Sequence, residues 1–159
     1  MDEKTYTLKE AHEHFAKSIN GRVWELLQMS DRTPLENDEM LYAAHACTYH
    51  WKFAGTVVHQ QRGEWLISRV YLVLGNLTEA FHHAERCHAL TGSNRDAMAD
   101  FDIAYDYEGL ARVHAAAGNL VEAREFLRLA WEAGDAIADE EDQSIFMGDF
   151  NSGNWFGAR

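Results

Sequence analysis

Two sets of side chains share a spacing that can do chemistry: Arg62, Trp65 and Arg69, and 43 residues further on, Tyr105, Glu108 and Arg112. Residues three and four apart fall on one helix face, so each set presents polar charge and an aromatic ring to the same side. The arginines and two aromatic rings facing one groove suit an anionic or aromatic-bearing ligand. The guanidinium forks would grip an anion through charge-assisted hydrogen bonds, and the rings would stack. His45 and Tyr49, on the helix that precedes the first set, are expected to border the same groove, with Trp51 beside them, the alternative for Trp51 and Trp65 being simple core. The competing reading of the arginines is internal, an ion pair of Arg69 or Arg112 with Glu108 or Glu64.

Other chemistries find less support in the residue types. The chain has nine histidines, yet His12/His14, His45/His50, His82/His83 and His83/His88 never share a helix face as paired metal ligands do. Glu79-x-x-His82 and Glu85-x-x-His88 have the spacing of a carboxylate-bridged two-metal motif, but both fall on one helix where such sites need two. No metal and no cofactor is expected. There is no Gly-x-Ser-x-Gly elbow, no glycine-rich phosphate loop and no cysteine in a catalytic motif. Asp102, Asp106 and Glu108 read as a solvated acidic face, the alternative being acid-base work with a histidine met in space. The expectation is a non-catalytic binding protein. Its rival is an enzyme or small-molecule binder that uses the Arg/Trp/Tyr/His groove as a closed pocket.

Charge narrows the partners. Fourteen basic against 26 acidic residues give a formal net charge of −12, which repels phosphate backbones and anionic lipid. The expected partner is a peptide or protein, not nucleic acid and not a membrane. Cys47 and Cys87 lie within helical apolar patterns, as buried thiols of a reducing compartment do. The sequence shows neither a secretory leader nor a membrane-length apolar run, so a cytoplasmic location is expected.

The positioning elements are legible from an internal repeat. Arg69-Val70 followed by Gly75-Asn76-Leu77-x-Glu79-Ala80 returns as Arg112-Val113 followed by Gly118-Asn119-Leu120-x-Glu122-Ala123, at a period of 43 residues. Each copy reads as helix, glycine turn, helix. A repeat of this length implies stacked helix hairpins, because one hairpin cannot bury its apolar face alone. The small Ala80 and Ala123 are expected where two helices cross. Thr7 with Glu10, and Thr33-Pro34 with Glu36, mark two further helix starts. Helices are predicted from Thr7 to about Met29, Pro34 to Ala54, Val57 to Leu74, Thr78 to Leu90, Met98 to Ala117 and Val121 to Ala138. Gly63 would let another helix sit close.

Ser68, Tyr71, Gly75 and Ala80 in one copy, and Ala111, Gly118, Ala123 and Ala130 in the other, resemble the signature of the tetratricopeptide repeat. The run from Arg62 to Tyr71, with Ala43-Ala44-His45 and Tyr49-His50-Trp51 before it and His83 to Cys87 after, is similar to a group of bacterial tetratricopeptide-like proteins that lends fold, not chemistry. The usual early tryptophan is replaced by Glu64 and Tyr107, and the period exceeds the roughly 34 residues of that repeat. The resemblance implies an all-α, right-handed stack of about three antiparallel hairpins, six main helices over residues 1–142. It places the first helix of each hairpin on the concave side. Residues 143–159 are expected as a capping turn, Gln143 to Met147, and an aromatic tail that is either disordered or docked. Trp155 and Phe156 in that tail, or the terminal hairpin, would support a homodimer.

Overall fold

A computed structural model describes residues 4–159. Among them are seven α-helices and no strand: α1 (Leu8–Gln28), α2 (Pro34–Ala54), α3 (Val57–Val73), α4 (Leu77–Ser93), α5 (Asp100–Ala116), α6 (Leu120–Asp135) and α7 (Glu140–Phe150), with a 3-10 turn at Arg95–Ala97. The starts follow the capping chemistry of the sequence. The Thr7 hydroxyl accepts from the Glu10 amide at 3.2 Å while the Glu10 carboxylate accepts from the Thr7 amide at 2.8 Å, and Thr33 and Glu36 repeat the exchange. Orphan amides of the first turn are satisfied in this way. Arg32 closes α1 from the other end, its guanidinium donating to the carbonyls of Leu26 and Met29 at 2.9 and 2.6 Å.

The repeated Gly-Asn pair has one geometry in both copies. Gly75 and Gly118 take φ of +81° and +78°, and the following asparagine amides reach back to Tyr71 and His114 carbonyls, each at 2.9 Å. That is the glycine-terminated helix end that satisfies the last carbonyls. The Asn76 side chain then caps α4 by accepting from the Glu79 amide at 3.2 Å, which starts the helix at Leu77 rather than Thr78. Because a Cβ at positive φ is strained while the space around Gly118 is open, Gly118→Val should lower stability by about 1–2 kcal/mol and Gly118→Asn by less. Chemical denaturation of both variants checks this, and equal midpoints would contradict it.

The helices pack in neighbouring pairs, α1 with α2, α3 with α4 and α5 with α6, and α3 also touches α5 directly. Ala80 and Ala123, expected where helices cross, are fully buried. Gly63 does admit a close neighbour: a Cβ there would lie 2.5 Å from Thr48 Cγ2. The core runs as a chain of clusters. One is built on Val23, Leu26, Met40 and Ile67, a second on Leu72, Ala80, Leu110 and Val113, and a third on Ala104, Ala130, Phe146, Phe150 and Trp155. No described helix is long and apolar enough to cross a membrane.

The C-terminal segment departs from the six-helix expectation. The capping turn is an 11-residue helix, α7, that runs across residue 142. Asp139, read as part of a solvated acidic run, is its N-cap and accepts from the amides of Glu141 and Asp142 at 3.0 Å. Glu140, Glu141 and Asp142 fill the first turn, where carboxylates complement the helix dipole. α7 touches both α5 and α6, and Phe146 seats where Gly134 of α6 leaves no Cβ in its way.

Candidate functional site

The first helix of each pair, together with α7, lines a groove of about 440 Å³. α1 contributes Asn20, Trp24 and Gln28, α3 contributes Arg62 and Trp65, α5 contributes Phe101, Asp102 and Tyr105, and α7 contributes Ile145 and Asp149. Ring planes form its wall. Trp24 and Trp65 stack with centroids 5.8 Å apart, and Trp65 meets the Tyr105 ring edge-on at 5.0 Å. The Trp65 indole donates 3.1 Å to Glu108, its own counterpart one repeat on. Gly109 makes room for that ring, since a Cβ there would lie 3.1 Å from Trp65 Cδ1. The two repeats are therefore in register, and Arg62, Trp65 and Tyr105 meet as the spacing predicts.

The charges do not behave as their sequence spacing suggests. Asp102, Asp106 and Glu108, expected as a solvated face, are only 2%, 2% and 1% exposed. They pair with Arg62 of α3, His88 of α4 and Arg112 of α5 itself. Arg62 is paired to Asp102 through Nε and Nη2 at 2.7 and 3.1 Å, and its guanidinium lies 4.9 Å from the Phe101 ring centroid. Asp102 also holds the amide of Ala99 at 2.9 Å, which caps α5 where no Ser or Thr is present. Asp106 accepts from His88 Nδ1 at 2.8 Å. That hydrogen bond raises the His88 pKa against a smaller opposing effect of burial.

Arg112 is a correction. Placed in the groove by its spacing, it is 1% exposed, ion-paired to Glu108 within its own helix, and closed off by the tail. Its Nη2 donates to the carbonyls of Asp149 and Ser152 at 2.9 and 3.0 Å, and the Trp155 ring lies 4.0 Å from the guanidinium carbon. Arg69 lies behind Trp65, against Glu108, Gly109 and Arg112, where burial and the neighbouring Arg112 lower its pKa while Glu108 and Asp149 oppose the shift. A side chain at Gly153, φ +73°, would come within 3.1 Å of Arg69 Nη2 and 3.2 Å of Arg112 Nη1, so the tail turns here on a residue with no Cβ. The internal ion-pair reading thus holds for Arg112 with Glu108.

His45 and Tyr49 are also corrected, because neither borders the groove. His45 bonds the Tyr71 hydroxyl at 3.1 Å and meets His83 edge-on. His83 in turn reaches Glu64 at 2.6 Å, with Arg86 on the other Glu64 oxygen at 3.0 Å. Burial raises the Glu64 pKa, but the hydrogen bonds from His83 and Arg86 outweigh it and hold the pKa below the ordinary value. Tyr49 is exposed and packs on Phe53 of its own helix. The α2 stripe Leu35, Tyr42, Tyr49 and Phe53 is exposed, whereas Trp155, expected at a dimer contact, is buried within the chain.

Spacing alone missed Trp24, Phe101 and Asp149. Asn20, Trp24 and Gln28 do recur every fourth residue on one face, a signal available once the first hairpin is set in register with the others. Asp149 lies on α7, where the sequence predicts only a capping turn. It accepts from the Tyr105 hydroxyl at 2.5 Å, and burial together with this carboxylate pushes the Tyr105 pKa well up. Both cysteines are buried free thiols. The Cys87 pKa is raised by burial first and by Asp106 second, which makes it a poor nucleophile. Among the described residues no three His, Cys, Asp or Glu side chains converge as a metal-holding group.

The His88–Asp106 bond gives a pH prediction. His88 has a raised folded pKa, so its contribution is fully present below the ordinary histidine value of about 6.5 and is lost as pH rises through the folded pKa. His45 and His59, lowered mainly by burial, work in the opposite sense. The stability difference between the wild type and His88→Asn should therefore shrink from acid to alkaline pH. Urea midpoints at a series of pH values give that difference, and a pH-independent offset would contradict it. Comparison with protein-family models, curated proteins and solved structures finds no match for the chain, so what the groove can hold has to follow from its own residues.

Proposed function

We propose that this protein is a non-catalytic binding scaffold, a tetratricopeptide-like right-handed stack of hairpins, that takes a peptide or a segment of a partner protein into the groove formed by α1, α3, α5 and α7. One observation carries the reading. The chain's own residues 151–159 already lie along α5 as irregular polypeptide, with the main-chain carbonyl of Ser152 held by Arg112 and the Trp155 ring laid over the same guanidinium. The inner surface therefore recognises polypeptide through backbone acceptors and an aromatic anchor, two general means of peptide recognition. The portion in front of Trp65 offers the same elements, rings and hydrogen-bonding side chains, to a segment supplied from outside.

A second reading rests on the walling of the groove by α7, which brings Ile145 and Asp149 to its lining. A cavity of about 440 Å³ lies in the size range of small-ligand sites. A photo-crosslinker at Gln28, an exposed position on the groove's edge, separates the two. Crosslinks from native lysate that map to polypeptide segments, and vanish with Trp65→Ala, support the scaffold. Enrichment of a small molecule with no polypeptide crosslink would replace it with the closed-pocket reading.

A further inference from the structure

We infer that the side chain seated in the groove is cationic, a lysine-type ammonium of the partner peptide, unmodified or methylated. The inference rests on the peptide reading above and gives it a ligand class. The spacing of the arginines argues for an anion, but two of the three are paired within the chain. Arg62 is neutralised in bidentate fashion by Asp102, and Arg112 is buried with Glu108 under the tail. Arg69 lies behind Trp65 and is not among the residues that line the groove.

What faces the space is of the opposite character. Trp24 and Trp65, stacked with an interplanar angle of 23°, and Tyr105, set at 69° to Trp65, make an aromatic corner, and ring faces attract cations through their quadrupole. Asp149 lines the same space. Its side chain is bonded to the neutral Tyr105 phenol and, among the described residues, is in no ion pair, unlike Asp102. The groove's charged lining of Arg62, Asp102 and Asp149 thus holds one more carboxylate than guanidinium beside the rings, the charge of Arg69 acting on Asp149 only from behind Trp65. On a chain of net charge −12, the long-range field draws cations to that place and repels anions. An ammonium between the rings and Asp149 would complete both.

The test uses the full chain and the indole N–H signals of Trp24 and Trp65 in NMR titrations. The probes are four peptides, Gly-Ser-X-Ser-Gly, with X lysine, trimethyl-lysine, norleucine or glutamate. Choline and its uncharged isostere 3,3-dimethylbutan-1-ol serve as free small molecules. The lysine and trimethyl-lysine peptides should shift both indoles with affinities at least about tenfold above those of the norleucine and glutamate peptides. Asp149→Asn should weaken the cationic peptides severalfold. That variant keeps an acceptor for Tyr105 and the main-chain carbonyl that holds Arg112, and unchanged signals of Trp51, Trp131 and Trp155 verify the fold. A glutamate peptide that binds as well as the lysine peptide overturns the inference, as does an affinity unaffected by Asp149→Asn or silence of both indoles toward every cation. If all four peptides bind equally, the peptide reading stands and the cationic one fails. If choline binds better than its neutral isostere while no peptide does, the cation site stands and the peptide reading fails.

Discussion

Arg112→Ala is expected to lower the unfolding free energy by about 3–5 kcal/mol, the usual cost of removing one partner of a buried ion pair. Glu108, itself 1% exposed, would keep only the Trp65 indole as donor. The carbonyls of Asp149 and Ser152 would lose the donor that holds them, and Trp155 would lose the cation over its ring. Urea denaturation measures the loss. The double variant Arg112→Met with Glu108→Gln should recover a large part of it, because no uncompensated charge then remains in the core. A single-variant loss under about 1 kcal/mol would mean that water reaches the pair and that the tail does not seal it.

Trp155→Ala is expected to cost about 3 kcal/mol and to release the tail. The ring is 7% exposed, packs edge-on against Phe150 at 5.5 Å and donates its indole N–H to the Phe150 carbonyl at 3.0 Å. Released, residues 151–159 should become protease-sensitive while the hairpins stay folded. A synthetic peptide of that sequence, carrying the tryptophan, should then raise the melting temperature of the variant in proportion to the logarithm of its concentration. Restoration in trans would support the inner surface as a polypeptide-binding surface. A peptide without effect at millimolar concentration would mean that docking depends on the tether.

Much of the architecture is local and was legible for that reason. Capping boxes, a lone proline at a first helical turn and two Gly-Asn helix ends act within a few residues. They fix where α1, α2, α4 and α6 begin and where α3 and α5 end, to within a residue or two. For α7 the sequence predicts only a turn, because its start is an aspartate inside an acidic run. That pattern is equally that of a solvated loop, and only packing of Phe146 on Gly134 and of Phe150 on Trp155 makes it a stable helix.

The candidate site divides along the same line. Helical spacing alone placed Arg62 and Trp65 on one face, and Tyr105, Glu108 and Arg112 on one face of the next repeat. It could not say which members of a face are solvated, because burial is set by what covers the helix from elsewhere in the chain. Asp102, Asp106 and Glu108 look like solvent-facing acids until Arg62, His88 and Arg112 are brought against them. Arg112 looks like a ligand contact until Ser152 and Trp155 arrive from more than a repeat-helix away. The repeat itself determined that this chain is all-helical, with its helices packed in neighbouring pairs. Which charges of α3 and α5 stay unpaired and exposed was decided only in three dimensions, since an ion's availability depends on long-range partners that neutralise or desolvate it.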